Sequence, residues 1–145
     1  MRDNSVDTLR LERRITIVLV LNFLIVIGAG HGIACLAMIE AFWFPYVNTE
    51  YFTFKIFTSY DNSLGAACLF SLVGQVLLIL ALIVKRMRLI IRVIMAGCFF
   101  LFIGFMYLTH EMLRGDAVAF VSFITGSPFL ITSSILLFKL KKMPD

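Results

Sequence analysis

Four long, continuously apolar runs constrain this chain more than any other feature of its sequence. They cover about 15–39, 64–84, 89–112 and 118–138. Each is as long as the ~20 residues that a helix needs to cross a bilayer core about 30 Å thick. The runs lack the alternation of barrel strands, so they predict helices. The sequence therefore predicts an all-α membrane protein with a single transmembrane domain over residues 1–145.

The distribution of basic residues predicts how these helices are oriented. Eleven of the thirteen Lys and Arg residues fall in 1–14, in 85–92 or in the tail 139–145, and only Lys55 and Arg114 fall elsewhere. The positive-inside rule then places both termini in the cytoplasm. We expect an up-down-up-down four-helix transmembrane bundle, multi-pass in a plasma membrane, most simply a bacterial inner membrane.

Composition restricts the partners of such a protein. Apolar residues make up 61% of the 145 residues, whereas soluble proteins contain about 45–50%. The lipid bilayer is therefore the expected solvent, and the basic rim is expected to face anionic headgroups. No aromatic–basic pattern typical of nucleic-acid binding is present.

Small residues predict where helices come close together. The segment Gly-Ala-Gly-His-Gly at 28–32 lies inside the first run. Read as a helix, it presents small residues four apart, and such pairs let transmembrane backbones touch. The contact is expected either inside one bundle or with another copy or subunit. The predicted packing positions are Gly28, Gly30, Gly32, Ala34, Gly97 and Gly104.

His31 is the strongest functional candidate in the sequence. An ionisable residue inside a span favours a functional role, although a neutral histidine can also be structural. On a helix it would point into the glycine-rich contact, towards Gln75 or a hydroxyl of the fourth run. Together with Gln75, Ser122 and Thr125 it forms a candidate polar pathway or ligand site.

The segment 40–63 predicts an outer loop between the first two helices. It contains nine aromatic residues, among them Trp43 and Tyr51. Aromatic rings favour the lipid–water interface, so the loop is expected to lie along the membrane surface. The alternatives are a cover over a cavity and a docking surface for a partner.

Four polar side chains are expected near this outer surface, namely Glu40, His110, Glu111 and Asp116. Oxygen and imidazole groups can hold a divalent metal, but their spacing matches no metal site. His31 and His110 would lie at different depths on their helices, which disfavours a shared haem. No catalytic set is present, so no catalytic residue, metal or cofactor is predicted.

Three functions remain open from the sequence. The first is a non-enzymatic subunit of a membrane assembly or homo-oligomer, which the glycine faces and the small soluble mass favour. The second is a small-solute or proton pathway that uses His31 and Gln75. The third is a membrane redox or lipid-modifying enzyme with an outer site at His110 and Glu111.

Overall fold

A computed structural model describes residues 4–29, 32–43, 60–84 and 86–141. The described part is mostly helical, with one pair of short strands. In chain order, the elements are α1 (Asn4–Phe23), β1 (Val26–Ala29), β2 (Gly32–Cys35), α2 (Leu36–Met38), a π-helical turn (Ile39–Trp43), α3 (Tyr60–Ile83), α4 (Met87–Thr109), a 3₁₀ turn (His110–Arg114) and α5 (Ala117–Leu140).

Three helices in the described part are long and apolar enough to cross a membrane. They cover Ser63–Ile83, Met87–Arg114 and Ala117–Leu140. These ranges coincide with the second, third and fourth apolar runs. The chain therefore has the composition of a membrane protein with three candidate spanning helices.

The first apolar run folds differently from the prediction. Helix α1 ends at Phe23, and β1 and β2 then pair antiparallel, with Val26 opposite Cys35 and Gly28 opposite Ile33. The predicted continuous helix over 15–39 is therefore not formed, because α1 covers only 15–23 of that run. A fourth spanning helix, and with it the four-helix transmembrane bundle, is not confirmed among the described residues. The β-branched residues of 25–27 and the glycines that follow both have low helix propensity, at about 1 kcal/mol for each Gly.

The strand pair changes the role of the small residues in this run. Gly28 and Gly32 do not share a helix face, because they lie on opposing strands. Gly28 instead approaches α5, where an added Cβ would lie 2.5 Å from Cγ1 of Val118. Ala34 lies half-buried in β2, while Gly30 and His31 fall outside the described residues.

The strand backbone finds hydrogen-bond partners beyond its own ladder. Val26 donates its N–H to Oγ1 of Thr125 at 3.0 Å. Leu36 donates to the carbonyl of Ile25 at 2.8 Å. Non-helical backbone is tolerated at membrane depth only where protein or water satisfies it, so these contacts fix the strand pair against α5.

Helices α3 and α4 form the most extensive helix contact among the described residues. An added Cβ at Gly74 would lie 2.8 Å from the carbonyl oxygen of Gly97, and one at Gly104 would lie 2.7 Å from Oγ of Ser71. The connection between the two helices is short, at 84–86. The pair is therefore an antiparallel hairpin in which small residues allow the backbones to approach. Most of the predicted outer loop, at 44–59, lies outside the described residues.

Candidate functional site

Three polar side chains meet in the interior of the bundle. Asn22, Glu40 and Gln75 are buried, with exposures of 0%, 7% and 4%. Nε2 of Gln75 lies 2.8 Å from Oδ1 of Asn22. The same nitrogen lies 3.0 Å and 2.9 Å from the two carboxyl oxygens of Glu40. We call these three residues the polar cluster.

The strand pair explains why residues so far apart in sequence come together. Asn22 lies at the end of α1, just before β1, and Glu40 lies in the π-helical turn just after β2 and α2. Because β1 and β2 run antiparallel, the chain leaves the end of α1 and returns to the same level. Gln75 then faces both residues from the middle of α3. The interruption of the first apolar run is therefore what builds the polar cluster.

Hydrogen bonding in the polar cluster is unbalanced. The Gln75 amide nitrogen carries two hydrogens, yet three oxygens lie within 3.0 Å of it. Nearby, Nδ2 of Asn22 and Oγ of Ser71 are buried without a hydrogen-bond partner among the described residues. Buried polar groups are nearly always satisfied. Nε2 of Gln75 thus has more acceptor oxygens around it than hydrogens to donate. Beside it, Nδ2 of Asn22 and Oγ of Ser71 could donate but have no acceptor among the described residues.

Glu40 is the ionisable member of the polar cluster and lies outside the three candidate spans. Its burial raises the pKa of the carboxyl to about 7, and the Gln75 hydrogen bond opposes this rise. Desolvation disfavours the charged form of a carboxyl, which is the direction seen here. No cationic side chain among the described residues pairs with Glu40. The carboxyl therefore changes its protonation state near neutral pH.

The surroundings of the polar cluster differ between its two ends. Towards the start of α3 lie the buried residues Cys68 and Ser71, seven and four positions before Gln75 and on the same helix face. Towards the end of α3 the buried side chains are apolar, namely Leu78 and Ala81. We call this second end, which leads to the arginine-rich turn, the basic end. Along the described buried face of α3, polar groups therefore continue from the polar cluster away from the basic end, and apolar groups continue towards it.

The predicted polar set is only partly brought together. Gln75 lies in the polar cluster, but Thr125 lies on α5, where it accepts from Val26 and donates to the carbonyl of Val121 at 2.9 Å. Ser122 is buried one turn before Thr125. His31 lies outside the described residues, so its expected contact with Gln75 stays a prediction.

Of the expected outer set, Glu40 lies in the polar cluster, while His110, Glu111 and Asp116 lie at the connection between α4 and α5. A straight helix over 15–39 would carry Glu40 to the outer surface, whereas the strand pair brings it beside Gln75. At the connection, the backbone N–H of Asp116 donates to the carbonyl of Glu111 at 3.4 Å. Nδ1 of His110 lies 2.9 Å from the carbonyl of Tyr107, Glu111 pairs with Arg114 at 3.3 Å, and Asp116 caps α5 by accepting from Ala119 at 2.8 Å.

Metal binding finds no support in the described part of the chain. No group of three or more His, Cys, Asp or Glu side chains lies together there.

The sequence contained a signal for the two members of the polar cluster that were not predicted. Asn22 is a lone amide inside the first apolar run, and Glu40 is the first acidic residue after it. A polar side chain in an apolar run requires a partner. Asn22 and Glu40 share Gln75 as their partner. The sequence does not show this, because it depends on the strand pair that lies between the two residues in the chain.

No family model, curated protein or solved structure matches this chain. The function of the polar cluster is therefore argued from its own chemistry.

Proposed function

We propose that the protein is a membrane proton pathway in which Glu40 is the group that takes up and releases the proton. The observation that carries this proposal is the burial of Glu40 beside Asn22 and Gln75, with no cationic partner among the described residues. Ionisable residues inside membrane proteins are expensive and mark proton relays and substrate pathways. The proposal keeps the pathway hypothesis drawn from the sequence and assigns its central role to Glu40.

Protonation of Glu40 would redistribute the hydrogen bonds of the polar cluster. As a carboxylate, Glu40 only accepts, and it competes with Asn22 for the two hydrogens of Gln75. As a carboxylic acid, Glu40 gains a donor, and one N–H of Gln75 becomes available to Asn22. The three residues lie on three different elements, so a change in these bonds acts on how α1 and the π-helical turn pack against α3.

The apolar side chains at the basic end support a gated pathway rather than an open pore. Leu78 and Ala81 are buried there, at 0% and 3% exposure. A proton at Glu40 would exchange through the polar side of α3, where Ser71 lies. Release towards the basic end requires a rearrangement of the bundle, so the expected turnover is slow compared with that of a channel.

Proton flux into liposomes tests this proposal. Protein reconstituted into vesicles with an internal pH dye is expected to acidify them under an imposed potential. Glu40→Gln keeps the size and hydrogen bonding of the side chain but removes the titratable group, so we expect the flux to fall at least about tenfold.

Glu111→Gln is the matched control, because Glu111 belongs to a partly exposed ion pair with Arg114. This variant should retain the wild-type flux. Equal flux from wild type and Glu40→Gln, or no protein-dependent flux at all, would rule out the proposal. Assembly as a subunit or homo-oligomer stays a separate prediction, which native mass measurement tests.

A further inference from the structure

An arginine-lined pocket lies at the basic end, far from the polar cluster. It has a volume of about 200 Å³ and is lined by Arg86, Arg88, Leu89 and Arg92. All three arginines are exposed. Among the described residues, no carboxylate lines the pocket, and the ion pair there joins Glu111 to Arg114 near the opposite end of α4. Three guanidinium groups therefore surround a cavity to which the described part of the chain contributes no acidic side chain.

The start of α4 adds to this positive potential. Arg86 occupies the N-cap position without a side-chain cap, and the first turn contains no acidic residue. The N-terminus of a helix carries a partial positive charge that favours anions. Here that effect acts on the same pocket as the three side chains, because Arg86 and Arg88 flank the first helical residue.

The arginine pocket reaches from the turn before α4 along the first turns of the helix. Arg92 lies five residues after Met87, about 7.5 Å further along the helix axis. The pocket thus extends from the turn into the apolar part of α4, with Leu89 on its wall. Arginine at this position can hold its charge at the headgroup level while its stem lies along apolar surface.

An apolar cavity lies beside the same turn. It has a volume of about 320 Å³, and Met87 and Ile90 contribute to it from α4. The facing walls come from α1 and from the end of α3. The remaining lining residues are Leu11, Glu12, Ile15, Ala81, Leu82, Ile83 and Val84. At about 100° per residue, Met87 and Ile90 face away from Arg88 and Arg92, so this cavity lies on the opposite face of α4 from the charged pocket. The face that carries the pocket continues instead as the exposed apolar side chains of Met95 and Phe99.

We propose that an anionic phospholipid binds at the basic end, with its phosphodiester between the guanidinium groups of Arg86, Arg88 and Arg92 and an acyl chain along the exposed apolar side chains of Leu89, Met95 and Phe99. Arginine forks bind phosphate oxygens in pairs, which gives both energy and orientation. Basic pockets on the cytoplasmic side of membrane helices bind lipid headgroups in this manner. The inference is independent of the role of Glu40.

Native mass spectrometry of the full chain in detergent tests the proposal. Phosphatidylglycerol and phosphatidylcholine are titrated separately, since both carry a phosphodiester but only the first has a net charge. We expect phosphatidylglycerol to be retained at least about tenfold more tightly. The combined variant Arg86→Gln, Arg88→Gln and Arg92→Gln should lose this preference.

The control removes the same charge from α1 on the same side of the protein, by Arg10→Gln, Arg13→Gln and Arg14→Gln. It should keep the preference, because these residues do not line the pocket. A third variant combines Arg86→Lys, Arg88→Lys and Arg92→Lys. It keeps the charge and should show an intermediate preference for phosphatidylglycerol, since Lys cannot bind a phosphate through two parallel hydrogen bonds as Arg does.

Three results would overturn the proposal. Equal retention of the two lipids would show that net charge is not recognised. Equal losses in the α1 control and the pocket variant would mean that only the diffuse charge of the basic end attracts lipid. Displacement of phosphatidylglycerol by millimolar inorganic phosphate would identify free phosphate, not lipid, as the ligand. Both glutamine variants should keep the wild-type thermal transition, which shows that they fold. If one of them does not fold, the lysine variant tests the proposal, because a preference for phosphatidylglycerol equal to that of wild type would contradict binding by arginine forks.

Discussion

Gln75→Leu is expected to destabilise the protein by roughly 2–5 kcal/mol, because one substitution leaves two buried groups without their donor. Nε2 of Gln75 is the atom that faces both Asn22 Oδ1 and the Glu40 carboxyl. Leucine fits the apolar surroundings of α3 but donates no hydrogen bond. The free energy of unfolding, measured by SDS titration in mixed micelles, should fall accordingly.

The effect of Gln75→Leu should also depend on pH. Loss of the Gln75 hydrogen bond raises the pKa of Glu40 further above its wild-type value of about 7. Below that pH Glu40 is protonated in both proteins, whereas at higher pH the wild type stabilises a carboxylate that the variant cannot. The destabilisation should therefore be smaller at acidic pH. Adding Glu40→Leu to Gln75→Leu removes both partners, and much of the lost stability should return. If the double variant is no more stable than the single one, Glu40 and Gln75 do not interact as described.

Gly97→Leu is expected to disrupt the contact between α3 and α4. An added Cβ at Gly97 would lie 2.9 Å from Cδ2 of Leu78 and 3.1 Å from the carbonyl oxygen of Gly74. The backbone of α3 cannot yield without the two helices moving apart. Overpacking of this kind costs about 1–3 kcal/mol, and more where backbone must shift. We expect the SDS titration to show a loss at the upper end of that range.

Ser134→Leu is the matched control for this substitution. Ser134 is exposed on α5, so the added side chain faces outwards. Its free energy of unfolding should stay within about 0.5 kcal/mol of wild type. Unchanged stability in Gly97→Leu would show that α3 and α4 do not pack through their glycines.

The fold of three runs follows from hydropathy, but the fold of the first does not. Runs over 64–84, 89–112 and 118–138 are long and apolar, and each forms a long helix. The first run is also apolar, yet its β-branched residues at 25–27 favour a strand and the glycines that follow weaken a helix, and the two strands pair there. Hydropathy measures the preference for lipid, and it does not report how the backbone satisfies its hydrogen bonds inside the bundle.

For the same reason, the sequence predicts only one residue of the polar cluster as a buried polar group. Gln75 was singled out, because a buried amide in the middle of a span needs a partner from another element. Glu40 was assigned to the outer surface, since a straight helix over 15–39 would carry it there. Two strands of four residues each reverse that assignment and place Glu40 beside Asn22. The approach of Asn22 and Glu40 depends on the end of α1 at Phe23 and on the strand pair that follows. The spacing of apolar residues along the sequence does not reveal that the helix ends there.

Infrared difference spectroscopy across a pH titration tests the central claim most directly. A protonated carboxyl in an apolar site absorbs in the C=O stretching region, away from carboxylates. Because burial raises the pKa of Glu40 to about 7, wild-type protein should show such a band below that pH and lose it as the pH rises through it. The band should be absent in Glu40→Gln and present in Glu111→Gln. A wild-type spectrum without a carboxyl band that titrates near neutrality, or one that Glu40→Gln leaves unchanged, would contradict the assignment of Glu40 as the proton-binding group.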